Sequence, residues 1–116
     1  MAEPEAPIDL VEASRALLGE ARRSDAGRAA RTLTPGAGVP LKQTLLALSA
    51  GASLQDHVAP GPATIQILIG VARLTSAGQT TLLSAGEWAN IPDATHGLEA
   101  AEDVAALLTV ALLLSP

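Results

Sequence analysis

The sequence predicts an all-β barrel preceded by one short N-terminal helix. Three observations carry that reading. From Leu41 onward, short aliphatic and β-branched runs alternate with turn signals built from Gly, Pro, Ser and Asp. Before Leu41, a single stretch repeats its apolar residues at helical spacing. The chain is 48% hydrophobic yet has no Phe, no Tyr and one Trp, so its core must be built from Leu, Ile, Val and Ala. At 116 residues it makes one domain with a real core. Residues 1–27 form a tail and amphipathic helix, and 28–116 form the barrel.

Residues 1–7 read as a loose tail. Asp9 followed by Glu12 has the spacing of a capping box and opens the helix. Leu10, Ser14, Leu17 and Ala21, with Val11 and Leu18, form one stripe. Arg22 and Arg23 suit the C-terminal end of the helix dipole, and the helix should end near Ser24 to Gly27. Its stripe calls for a cover, either the barrel or a partner subunit. It lacks the aromatic residues and the area of a membrane-surface helix.

Arg28 to Leu33 is the first candidate strand. Thr34 to Pro40 is a Gly- and Pro-rich loop without the surroundings of a nucleotide-binding fingerprint. Leu41 to Ser49 follows, with Thr44, Leu46 and Leu48 on one face and Gln43, Leu45 and Ala47 on the other. Then come Ser53 to His57, a Pro60-Gly61-Pro62 turn, Thr64 to Ile69, Val71 to Thr75 and Gln79 to Leu83. Glu87 to Ile91, Thr95 to Ala100 and Val104 to Leu114 complete the set. Alternation along Thr64 to Ile69 places Ile65, Ile67 and Ile69 inside and Gln66 outside. Leu45, Ala47 and Leu68 then face outward. They are more apolar than a monomer surface, so a homodimer is expected.

Charge and composition exclude several functions. Residues 43–116 carry six acids and only Arg73, a net charge of −5. Such a barrel has neither the basic footprint nor the aromatic platforms of a nucleic-acid binder. The arginines between Arg15 and Arg31 are interrupted by acids and read as a solvated helix face. With no cysteine there is no disulfide, no thiolate nucleophile and no Cys-based zinc site. The apolar run Val104 to Leu114 is too short to span a bilayer, so no membrane role and a cytoplasmic location are expected. No serine or threonine is identifiable as a nucleophile with a base and an orienting acid beside it.

The two histidines are the chemistry-bearing residues. His57 lies in GASLQDHVAPGPATIQILIG, from Gly51 to Gly70, and His96 ends GEWANIPDATH, from Gly86. The two stretches read as paired strands with both rings pointing into the barrel mouth. Each ring also has a plainer reading, a hydrogen bond to a backbone carbonyl at a strand end. Asp56 should point to the opposite face from His57. Glu87 and Asp93 should be solvated. Trp88 reads as a core or interface anchor, or as a wall of the pocket that stacks on a ligand.

The spacing of these stretches resembles that of the cupins. Their first motif runs G-x5-H-x-H, three or four residues, then E-x6-G. Gly51, His57 and Gly70 fall in place, with Ala59 at the second histidine and Ala63 at the glutamate. Their second motif runs G-x5-P-x-G-x2-H-x3-N. Gly86 and Pro92 match, His96 comes one residue early, and Ala94 and Ala100 replace the glycine and asparagine. More narrowly, the chain resembles small single-domain, RmlC-like bacterial cupins of unassigned function. The resemblance implies a cupin-type double-stranded β-helix, a jelly-roll barrel, with one short N-terminal α-helix.

Metal-dependent cupins hold Fe, Mn, Ni or Zn with three histidines and a glutamate, and only His57 and His96 survive of those four. Two imidazoles fall short of the three protein ligands a catalytic divalent metal normally has. The expected function is a metal-poor binding or sensing module acting as a homodimer. Its pocket would hold His57, His96, Trp88, Ile65 and Ile67, no cofactor and no catalytic residue, and take a small molecule. One alternative is an isomerase or dioxygenase type of enzyme with Zn, Ni, Mn or Fe on His57 and His96. The other is a non-catalytic structural dimer.

Overall fold

The structure is a computed structural model, which describes residues 5–34, 36 and 38–112. It has one helix and nine strands among those residues. Helix α1 spans Leu10–Arg23. The strands are β1 Arg28–Thr32, β2 Leu41–Leu48, β3 Ser53–His57, β4 Ala63–Ile69, β5 Val71–Ser76, β6 Gln79–Ser84, β7 Trp88–Asn90, β8 His96–Ala100 and β9 Val104–Ala111. The expected end of the last strand at Leu114 lies outside the described residues, as do residues 1–4 of the expected tail. None of the helices described is long and apolar enough to cross a membrane.

Every strand pair is antiparallel. One sheet has the order β1-β2-β9-β4-β7 and the other β3-β8-β5-β6. Their inner faces share one aliphatic core. Leu46, Leu48, Ile65, Ile67, Val104 and Ala106 come from the first sheet, and Ala72, Leu74, Leu83, Leu98 and Ala100 from the second. This is the two-sheet packing that period-two alternation predicts.

A second core lies on the outer face of the five-stranded sheet. Leu17, Leu18 and Ala21 of α1 cover Leu45, Ala47 and Ala105, with Leu68 and Ile69 beside them. The helix starts where expected. The Asp9 carboxylate accepts from the N–H groups of Val11 and Glu12 at 3.0 and 3.1 Å, filling two of the donors a helix start leaves unpaired. Its other end is tied down by Arg22, whose Nε donates to Asp103 at 2.8 Å. Asp103 also accepts from the Ala50 N–H at 2.8 Å, so one carboxylate joins the helix to two strand turns. The apolar face read as a dimer surface is thus occupied by the chain's own helix: Leu45 and Ala47 are fully buried.

One strand departs from simple alternation. On β4, Ile67 pairs with Ala106 but Ile69 pairs with Ala105, so Leu68 is an extra residue opposite none. This bulge turns Ile69 to the helix side instead of the barrel interior. Gly70 follows at φ +82°, and a Cβ there would collide with the Asp103 carbonyl. The bulge and this glycine carry the chain from one sheet to the other.

Candidate functional site

The site is built where β3 meets β8. Leu54 pairs with Leu98, and His57 pairs with His96. Two residues of β3, Gln55 and Asp56, therefore stand against one residue of β8, Gly97. Without that irregularity Asp56 would fall opposite His96. The extra residue moves His57 into register and onto the inner side. Gly97 makes the room: a Cβ on it would run into the Asp56 carboxylate. Asp56 lies on the other side of the strand from the ring, as alternation required.

The two imidazole centroids are 4.6 Å apart with ring planes tilted by 56°. His96 is buried and His57 is exposed toward the mouth. His57 Nδ1 lies 3.0 Å from the Gln55 carbonyl oxygen, and His96 Nδ1 lies 3.0 Å from that of Ala94. Each ring thus makes the backbone bond of its plainer reading and still faces the other.

The rings border a cavity of about 70 Å³. Ten other residues line it, all apolar, among them Leu54, Ala59, Ala63, Ile65, Leu74 and Leu108. No charged side chain lines it. The Arg73–Glu99 ion pair, at 2.7 Å, is on the exposed side of the second sheet. Outside the cavity runs a groove of about 440 Å³ between the Pro60-Gly61-Pro62 turn and Asn90 to Asp93. Cavity and groove share Ala59, Pro60, Ala63 and Ile91.

Of the residues expected in the pocket, His57, His96 and Ile65 are there. Ile67 is not: it lies one layer deeper on the same face of β4, fully buried in the core. Trp88 is not either. It pairs with the outward-facing Gln66 on the edge strand β7, and it is 58% exposed, so it anchors no core. Leu98 and Leu108 were within reach of alternation, taken in step with His96 and Val104. Ala59, Pro60 and Ile91 lie outside the strands, where alternation says nothing. Glu87 folds back to accept from the Ser84 N–H at 2.7 Å, and Asp93 is exposed at the groove.

Comparison with solved structures identifies the architecture. A conserved protein of unknown function from Streptococcus pyogenes is 24% identical with a TM-score of 0.74, over 98% of this chain and 93% of that one. A Cupin 2 conserved barrel domain protein from Salinispora arenicola is 23% identical with a TM-score of 0.66, over 94% of this chain and 88% of that one. The chain has a cupin fold. Salicylate 1,2-dioxygenase from Pseudoaminobacter salicylatoxidans shares it at 21% identity and a TM-score of 0.72, but the match covers 86% of this chain and only 33% of the enzyme. No family model matches the sequence, and no curated protein matches it.

The cupin fold raises the question of a metal. Among the described residues, no group of three or more His, Cys, Asp or Glu is placed to hold one. The barrel mouth offers two imidazoles, with methyl groups of Ala59 and Ala63 along the cavity wall. That donor set does not fit a catalytic divalent ion, which takes three protein ligands and an open position.

Proposed function

We propose that the barrel mouth binds a small molecule, and that binding or sensing it is the role of this cupin-fold protein. The observation that carries this reading is the pair of imidazoles set at one end of an otherwise apolar cavity. Ligand sites combine apolar walls with a few placed polar groups, and this mouth has that make-up. A thermal-shift screen of small molecules on the purified protein tests it. A ligand should raise the melting temperature in proportion to its logarithmic excess over Kd. His96→Ala should abolish that rise. A screen in which every stabilising compound acts as strongly on the His57→Ala and His96→Ala proteins as on the wild type would sink the reading.

The 4.6 Å approach of the rings leaves one other reading, a metal-dependent enzyme of the isomerase or dioxygenase type on a reduced His57 and His96 site, in which water would have to make up the ligands the protein lacks. Elemental analysis distinguishes it. Stoichiometric metal that disappears in His57→Ala would replace the binding-module reading. A homodimer would now have to use other apolar residues, such as Leu41, Leu82 and Trp88, which are 48%, 60% and 58% exposed. Sedimentation of a monomer at micromolar concentration would remove it.

A further inference from the structure

If the mouth binds a small molecule, as proposed above, the two rings dictate its chemistry. A neutral imidazole has one N–H and one bare nitrogen. A carbonyl oxygen only accepts, so a ring nitrogen bonded to it must be the one that donates. His57 Nδ1 and His96 Nδ1 each lie 3.0 Å from a carbonyl oxygen two residues back. Both neutral rings therefore carry their proton on Nδ1. Both Nε2 atoms are left as acceptors, and neither has a hydrogen-bond partner among the described residues. Neither Nε2 is sealed from solvent, so each can take its donor from water or from a ligand. A carboxylate cannot supply one, because it would set its own lone pairs against those of the rings. An ammonium group would be desolvated with no anion lining the cavity.

Size narrows the ligand further. The inner cavity, about 70 Å³, is under half the ~150 Å³ of an apolar cavity that holds benzene. A chain fits where a ring does not. The cavity adjoins the 440 Å³ groove, and Ala59 and Ala63 line both. Their methyl groups stand where the cupin pattern has a histidine and a glutamate, so space that larger side chains would fill is free for a ligand.

The geometry points to a slender, uncharged ligand: an aliphatic chain ending in a hydroxyl. Its O–H is donated to an Nε2 of the histidine pair, and the chain runs past Ala59 and Ala63 into the groove.

The test uses two isomers, 1-pentanol and butyl methyl ether, which contain the same atoms but differ in the donor. Each is titrated into the full-length protein while the histidine ring signals are followed by NMR. Long-range nitrogen spectra at a pH where the rings are neutral should first show the proton on Nδ1 of both. A proton on Nε2 of either ring overturns the proposal. Pentanol should bind about fivefold more tightly than the ether, the worth of one net hydrogen bond. Equal binding overturns the hydroxyl assignment while the pocket remains a binding site. No ring shift with either compound overturns the aliphatic-alcohol assignment, while the small-molecule reading stands or falls by the thermal-shift screen. Ala63→Leu and Ala59→Leu, each narrowing the passage, should abolish pentanol binding with the nitrogen pattern unchanged. A folded variant of either kind that still binds pentanol overturns the route.

Discussion

The two faces of the five-stranded sheet are both apolar and do different work. On β2, Leu46 and Leu48 point into the barrel, where they join the core that ends at the histidine pair. Leu45 and Ala47, their neighbours along the same strand, point out and are sealed by α1. Burial is as complete on the outer face as on the inner one: Leu45 and Leu48 both have no exposed surface. Apolar composition therefore does not distinguish the face that carries the site from the face that carries a cover. The partner does. The inner face meets a second sheet that supplies His57 and His96, and the outer face meets a helix whose buried side chains are aliphatic except for Ser14.

If the difference is real, the two layers should fail differently. Ile67→Ala removes a fully buried side chain from between the sheets. It should cost about 3–4 kcal/mol in chemical denaturation, since neither sheet can collapse into the space. It should also shift the ring signals of both histidines, because Ile67 lies directly beneath Ile65 of the cavity wall. Leu17→Ala opens a hole under a single helix that can settle by sliding. It should cost about 2 kcal/mol, at the low end for such truncations. Amide exchange should speed up along α1 while the histidine signals stay where they are. Equal disturbance of the histidines by both variants would show that the layers are one cooperative unit.

The inner layer was the more legible of the two in the sequence. Period-two alternation located Leu46, Leu48, Ile65 and Ile67, and the glycine-histidine spacing brought His57 and His96 to one mouth. What alternation could not show were its own interruptions. Leu68 is inserted by a bulge, and Ile69, which continues the pattern of Ile65 and Ile67, turns to the helix instead. At His57 the same kind of interruption helps rather than misleads: Gln55 and Asp56 share one partner, and the histidines align. Gly97 is the only local sign of it, and a glycine within a strand has several readings. The outer layer was legible as an apolar face without an owner. Leu17, Leu18 and Ala21 form a stripe at helical spacing, but a stripe does not name its partner. A second subunit and the chain's own helix satisfy Leu45 and Ala47 equally well on paper.

The tether of the outer layer should respond to pH. The Ala50 N–H, then the Arg22 side chain, hold the Asp103 carboxyl below the ordinary aspartate range. A carboxyl with a lowered folded-state pKa stabilises the protein above the unfolded-state value. That contribution fades as pH falls through the folded-state pKa. Asp103→Asn should therefore lower stability by a constant amount at neutral pH, and the gap to the wild type should close in acid, below the ordinary carboxylate range. The histidine signals should not respond to this substitution. A gap that persists unchanged into strong acid would mean that the carboxylate's charge is not what ties α1 down.

The smallest expected effect has the most telling sign. Ser14 is fully buried in the helix layer, and its Oγ has no hydrogen-bond partner. A buried hydroxyl without a partner costs about 1–3 kcal/mol in desolvation. Alanine at the same place keeps the β-carbon, favours the helix by a few tenths of a kcal/mol and leaves a void of a single atom. Ser14→Ala should thus raise stability, by about 1 kcal/mol, with slower amide exchange confined to α1. Among the described residues the inner layer has no sealed counterpart: its one buried polar side chain, His96, has Nδ1 on the Ala94 carbonyl, and no atom of it is both shut off from solvent and unpartnered. A loss of stability in Ser14→Ala would mean that the hydroxyl has a partner in solution, such as a trapped water. The helix layer would then be a polar contact as well as an apolar cover.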